Sequence, residues 1–162
     1  MERLTDYLYS ELIGAGFDLI PPKIRNRLQY THFFTGTDPV YAGLFDYTDT
    51  DDGRSYRDCW CVAEPFHLKV QSPTTIIMPY NNPNYPLMLR PAMVVHELGH
   101  VLDELLGFDY LATPVTRYGA TNRFEAFAEA FTYWLFPAFG EYYDIMNPID
   151  EQTLNLFEQL EV

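Results

Sequence analysis

The feature that most restricts the fold of this 162-residue chain is a pair of histidines four residues apart, His96 and His100, with Glu97 directly after the first. Residues four apart share one face of an α-helix, so the two imidazoles can meet one metal ion if this stretch is helical. Pro91 suits the first turn of such a helix, and Gly107 suits the position just past its end. Glu97 would reach a water molecule on the metal and act as general base. The HExxH motif therefore predicts a helix over 91–106 that carries two ligands of a metal site.

A catalytic zinc site normally has three protein ligands, and the chain offers the third on a second predicted helix. That helix can begin at a cap on Thr121 or Asn122, and Glu125 and Glu129 lie four apart on one of its faces. We expect Glu125 to complete a site for one Zn2+ per chain, and Glu129 to accept a hydrogen bond from the far nitrogen of a ligating histidine. Asp103, one turn past His100, is a further candidate for such support; for both Glu129 and Asp103 the alternative is an ordinary surface carboxylate.

The rest of the chain predicts an α+β fold, in which a small mixed sheet packs on the HExxH helix and a second helix bears Glu125. We expect one domain over 1–162, with a helix and the sheet in 1–90 and the zinc-binding helical part in 91–162. The N-terminal helix is predicted over 3–15, ended by Gly14 and Gly16, and a final helix over 150–159. The predicted strands are 28–35, 40–47, 59–64, 67–71 and 74–78.

Two segments are candidates for handling a substrate. The strand 74–78 could be a sheet edge that pairs with an extended peptide, which makes Ile76, Ile77 and Met78 substrate-binding candidates. The connection between Gly107 and Gly119 could be a mobile lid.

Charge and composition bear on partners and location. The net charge of −13 repels phosphate backbones, which argues against nucleic acid, and favours basic peptides or proteins. No apolar run is long enough for a membrane helix, and the N-terminus lacks a signal-type apolar run. We therefore expect a cytoplasmic protein without membrane contact, with a secreted or delivered protein as the alternative. Cys59 and Cys61 are expected to be ordinary thiols, because a CxC pair alone supplies too few ligands for zinc.

Two blocks of the sequence, 96–103 (HELGHVLD) and 118–131 (YGATNRFEAFAEAF), resemble the catalytic domain of anthrax lethal factor and the related bacterial proline-proline endopeptidases. The resemblance covers about residues 91–137. It implies a zincin-like fold of the HExxH…E (gluzincin) type, with Glu125 as third zinc ligand. It also implies that Tyr118 stabilises the oxyanion of the tetrahedral intermediate, a task that suits a neutral phenol. The connection between His100 and Glu125 is shorter than in lethal factor, so substrate-pocket features of that loop do not carry over.

The sequence thus predicts a zinc-dependent endopeptidase that acts on a peptide or protein, with basic or proline-containing segments favoured. A repressor-cleaving metallopeptidase of the ImmA/IrrE type is an alternative, since it shares HExxH and a downstream Leu-x-Pro, here Leu135-Phe136-Pro137. The Tyr-Gly-x-Thr-Asn block favours the lethal-factor side. A non-catalytic binding protein on the same fold is a further alternative, and a DNA-repair zincin is disfavoured by the acidic charge.

Overall fold

The computed structural model describes residues 6–29, 31–35, 62–63, 75–78, 89–141 and 143–162. Most of this part of the chain is helical. The α-helices are α1 (Asp6–Asp18), α2 (Pro22–Leu28), α3 (Arg90–Leu105), α4 (Arg123–Leu135) and α5 (Glu151–Glu161). Two 3-10 turns, Tyr118–Thr121 and Pro137–Glu141, lie before and after α4. None of the described helices is long and apolar enough to cross a membrane.

The predicted α+β fold class is wrong, because the described part of the chain is mostly helical. Extended structure in the described ranges is limited to three short segments, β1 (His32–Thr35), β2 (Val62–Ala63) and β3 (Thr75–Met78). They pair in the order β1-β3-β2 and do not amount to the sheet layer that an α+β domain requires. Of the predicted strands, 40–47 and 67–71 fall outside the described residues, and Leu28 ends a helix instead of beginning a strand.

The position of β3 also corrects the prediction for Ile76 and Ile77. β3 lies between its neighbours: Ile76 and Ile77 pair with Phe33 and Phe34 of β1 on one side, and with Ala63 and Val62 of β2 on the other. Their backbone groups are engaged on both sides, so these residues are not a free edge for an extended peptide. Met78 pairs with Thr35 of β1, which occupies one of its sides as well.

The N-terminal helix differs from its prediction at the two glycines. α1 runs through both Gly14 and Gly16 to Asp18, and Pro21 and Pro22 then open the short helix α2. A Cβ at position 16 would lie 2.6 Å from Cγ1 of Val94. Gly16 is therefore explained by the close approach of α1 to α3, a contact that outweighs its low helix propensity.

The predicted helices around the HExxH motif and after Asn122 are confirmed as α3 and α4, and they pack closely against each other. Gly99, inside the motif, allows this packing: its Cβ, if present, would lie 3.1 Å from Cα of Ala128 and 3.3 Å from Cδ2 of Phe131. The buried core runs along this helix pair and continues to α2 and α5. Its members include Ile24, Leu28, Val94, Val95, Leu98, Leu102, Phe127, Phe131 and Phe157.

Candidate metal centre

His96, His100 and Glu125 converge at the interface of α3 and α4. Nε2 of His96 lies 2.9 Å from Oε2 of Glu125, and Nε2 of His100 lies 3.3 Å from Oε1 of the same carboxylate. One ligand atom from each residue falls within 4.8 Å of the others, so the three could hold a metal ion. The structure therefore brings together the two histidines and the glutamate that the sequence predicts as ligands.

Local structure explains how each ligand is positioned. His96 and His100 occupy successive turns of α3, and their rings meet edge to face with centroids 4.9 Å apart. Glu125 lies in the first turn of α4, where its backbone N–H donates to Oδ1 of Asn122 at 2.8 Å. This N-cap satisfies a helix-terminal donor and fixes where α4 begins, so it sets the height of Glu125 relative to the histidines.

The Glu125 carboxylate bears one mark of a cation ligand. Its Oε2 atom is buried and lies within hydrogen-bond distance of His96, yet it accepts no hydrogen bond. A hydrogen bond requires the N–H to point at the acceptor, whereas ligands of a shared ion point at the ion. An ion shared by the two groups would account for their short separation without a hydrogen bond.

The electrostatics of the three residues are mutually supporting. Although burial acts to raise it, the pKa of Glu125 is lowered by the charges of His100 and His96. Burial likewise acts to lower the pKa of His96, but the two glutamates beside it raise the value above the usual range. The glutamates therefore favour a positive charge at this point, which is a proton on His96 in the metal-free protein; a metal ion would replace that proton.

Glu129 supports His96 as predicted, and a further residue supports Glu129. Oε2 of Glu129 lies 3.1 Å from Nδ1 of His96, on the ring side away from Glu125. Its Oε1 accepts a 2.9 Å hydrogen bond from the Thr116 hydroxyl, and Thr116 Oγ1 accepts one of the same length from the Gly119 N–H. Glu129 and Thr116 are both almost completely buried.

Tyr118 and Glu97, the residues predicted to act in catalysis, are both neighbours of His96. Tyr118 begins the 3-10 turn before α4, and its ring centroid is 5.9 Å from that of His96. Glu97 follows His96 along α3 and is buried, with 8% of its surface exposed. Tyr118 is thus close to the candidate metal centre in space, and Glu97 is next to it in the chain.

Asp103 is buried, with 1% of its surface exposed, so the alternative that it is an ordinary surface carboxylate is wrong. Burial raises its pKa to about 6, against the opposing charges of Arg123 and His100. Its Oδ1 atom accepts no hydrogen bond. The structure gives Asp103 an electrostatic interaction with His100, whereas Glu129 contacts His96 directly.

The connection between α3 and the 3-10 turn is braced along its second half. Thr113 N–H donates to Oδ2 of Asp150, and Asn147 Nδ2 donates to the Pro114 carbonyl. The Val115 carbonyl accepts from Met146 N–H at 2.7 Å. Thr116 and Ile145 form an antiparallel bridge. Such bracing does not fit the prediction that the whole connection is a mobile lid.

Sequence reasoning missed two residues that build the centre. Thr116 gives no signal in a single sequence, because its partner Glu129 is thirteen residues away and no helical period links them. Gly99 could have been noticed, since a glycine inside a helix is unfavourable unless a neighbour approaches closely.

Comparisons with protein-family models, with curated proteins and with solved structures gave no match for this chain.

Proposed function

We propose that this protein is a zinc-dependent endopeptidase whose metal is held by His96, His100 and Glu125. The observation that carries the proposal is the convergence of two imidazole nitrogens and a carboxylate from neighbouring helices, 2.9 and 3.3 Å apart. Glu97, the residue that the HExxH motif assigns as general base, lies directly beside the first ligand.

The ligand distances suit zinc. A tetrahedral ion with bonds of about 2.0–2.1 Å separates its ligand atoms by roughly 3.3 Å. The 3.3 Å between Nε2 of His100 and Oε1 of Glu125 equals that separation, and the 2.9 Å between Nε2 of His96 and the other carboxylate oxygen, Oε2, is slightly shorter. One ligand atom from each of the three residues lies within 4.8 Å of the others. Two imidazoles and one carboxylate leave a fourth position open, as in catalytic zinc sites. Glu129, on Nδ1 of His96, supplies the carboxylate–histidine pairing that orients such ligands.

The proposed reaction is attack of water on a peptide carbonyl. When bound, zinc supplies Lewis acidity, which lowers the pKa of water and polarises the carbonyl oxygen. Glu97 takes a proton from the attacking water as the C–O bond forms, and delivers it to the amide nitrogen as the C–N bond breaks. Tyr118 donates its phenolic hydrogen bond to the oxygen that becomes negative in the tetrahedral intermediate.

The test is cleavage of a peptide library by zinc-loaded protein, compared with its Glu97→Gln variant. Glutamine has the same shape but cannot accept the proton, so we expect the variant to bind zinc normally and to lose turnover by 100-fold or more, at the lower end of what general-base catalysis contributes. Metal analysis of the purified protein accompanies the assay. Cleavage by the variant at the wild-type rate, or folded wild-type protein that takes up no zinc, would contradict the proposal.

The same assay addresses the substrate class and the alternatives. The net charge of −13 favours basic segments, and the lethal-factor resemblance favours proline-containing ones, so the library contains both. A repressor-cleaving enzyme would ignore short peptides and cut a folded DNA-binding protein, and that substrate class forms a second arm. A binding module would cut neither, and Glu97→Gln would leave its partner affinity unchanged.

A further inference from the structure

We propose that Thr116 is a positioning residue, which couples the turn that carries Tyr118 to the orientation of the metal ligand His96. This inference rests on the metal site proposed above. It adds a residue that neither the HExxH motif nor the glutamate-bearing helix contains.

The coupling runs through a continuous series of hydrogen bonds from Gly119 through Thr116 and Glu129 to His96, which we call the relay. The Gly119 N–H donates to Oγ1 of Thr116 at 2.9 Å, and Thr116 Oγ1 donates to Oε1 of Glu129 at 2.9 Å. Oε2 of Glu129 then lies 3.1 Å from Nδ1 of His96. Three contacts thus join a backbone amide next to Tyr118 to the ring whose other nitrogen faces Glu125.

The chemistry of the donors fixes the direction of each bond. A backbone N–H can only donate, so Thr116 Oγ1 must be the acceptor for Gly119. The single hydroxyl proton of Thr116 is therefore free to go to the Glu129 carboxylate. The carboxylate in turn accepts from Nδ1–H of His96, which leaves Nε2, the nitrogen nearest the Glu125 carboxylate, to bind the ion once its own proton is lost.

The packing around the relay leaves little room for other arrangements. Thr116 is 1% exposed and Glu129 is 3% exposed, so water cannot readily replace a lost partner. A Cβ on Gly119 would lie 3.3 Å from Thr116 Oγ1 and 3.5 Å from Cβ of Glu129. The turn, the hydroxyl and the carboxylate therefore form one packed unit, and a shift in any of them moves the others.

Three variants separate a positioning role from a merely structural one. Thr116→Val keeps the shape and removes the hydroxyl, and Thr116→Ser keeps the hydroxyl. Thr132→Val is the matched control, because Thr132 is a fully buried threonine on α4 whose hydroxyl donates to the Ala128 carbonyl, away from the relay. Zinc affinity is measured by chelator competition on metal-free protein, and folding is measured by circular dichroism and thermal unfolding.

We expect Thr116→Val to weaken zinc binding about tenfold or more, the range found for residues that support a metal ligand. Thr116→Ser should restore most of the affinity, and Thr132→Val should lower thermal stability without changing zinc affinity. Folded Thr116→Val protein with wild-type affinity overturns the proposal, and so does an equal loss of affinity in Thr132→Val. Absence of zinc binding by the wild type would instead contradict the proposed function.

A second measurement needs no variant and so is independent of whether Thr116→Val folds. In zinc-loaded wild-type protein labelled with 15N-histidine, nuclear magnetic resonance distinguishes the metal-bound ring nitrogen from the protonated one. We expect zinc on Nε2 of His96 and a slowly exchanging proton on Nδ1. Zinc on Nδ1 overturns the relay.

Discussion

Replacing Gly99 with alanine tests whether the close packing of α3 on α4 builds the metal centre. The new Cβ would lie 3.1 Å from Cα of Ala128 and 3.3 Å from Cδ2 of Phe131. The first of these neighbours is backbone, which cannot rotate away as a side chain can. The helices must therefore separate by a few tenths of an ångström.

This separation is large on the scale of a metal site. His96 and His100 lie on α3 and Glu125 on α4, so the distances of 2.9 and 3.3 Å between their ligand atoms would increase. Metal–ligand distances are held to about 0.2 Å, which is comparable to the expected shift. We therefore expect zinc affinity to fall by about tenfold, or about 1.4 kcal/mol.

The effect on folding is a balance of two terms. Alanine improves helix propensity by about 1 kcal/mol, whereas overpacking costs about 1–3 kcal/mol. A net loss of about 0–2 kcal/mol in the free energy of unfolding of the metal-free protein follows. The expected loss of about 1.4 kcal/mol in zinc affinity falls within this range, so affinity and stability must be measured separately.

Gly14→Ala is the control, because a Cβ there has no neighbour within 4 Å. It should stabilise the protein by about 0.5–1 kcal/mol and leave zinc affinity unchanged. Chelator competition and urea unfolding of metal-free protein measure the two quantities. If Gly99→Ala binds zinc as tightly as the wild type, close helix packing does not determine the site and the reasoning fails.

Three further predictions concern stability. Burial acts to raise the pKa of Asp150, but hydrogen bonds from Thr113 and Thr153 lower it below its usual value. The stabilisation that Asp150 provides is therefore present above the usual carboxyl pKa and is lost as pH falls through the lowered value. Asp150→Ala should cost about 1–2 kcal/mol at pH 7 by thermal or urea unfolding, and a difference that did not shrink in acid would count against this account. Burial raises the pKa of Asp103 to about 6, so the contribution of Asp103 to stability decreases as pH rises from about 4 to 6. In metal-free protein, the Asp103→Asn variant should therefore gain stability relative to the wild type across that pH range. A stability difference that does not change with pH would refute this. Chelation of zinc should lower the melting temperature, because a ligand at a hundredfold excess over its dissociation constant stabilises the folded state by about 2.7 kcal/mol. An unchanged melting curve would mean that the metal does not bind the folded state preferentially.

The parts of the molecule that local rules govern were predictable from the sequence. The bounds of α3 follow from Pro91 in its first turn and from Gly107, which adopts φ +73 after the last turn. The start of α4 follows from the Asn122 cap. Because both helices were located, their histidines and glutamates could be paired by four-residue spacing, and the expected ligand set is the one that converges.

The parts that depend on contacts between distant segments were not predictable in the same way. Gly16 was expected to end α1, but its contact with Val94 of α3 keeps the helix going, and a single sequence does not reveal that partner. The β-branched segment containing Ile76 was correctly recognised as extended, whereas its place between two other segments depends on pairing across more than forty residues on one side. Fold class failed for the same reason, because short β-prone runs do not by themselves show how much sheet will form.

The two carboxylate oxygens of Asp150 connect the beginning of α5 to the chain segment that leads to the candidate metal centre. Oδ1 accepts from Thr153 N–H and opens the helix, while Oδ2 accepts from Thr113 N–H in the segment that leads to Thr116 and Tyr118. The C-terminal helix and the turn that carries Tyr118 should therefore unfold locally as one cooperative unit, with matched hydrogen-exchange protection. A modification that loosens α5 should then reduce the proposed peptidase activity, although α5 supplies none of the proposed ligands or catalytic groups.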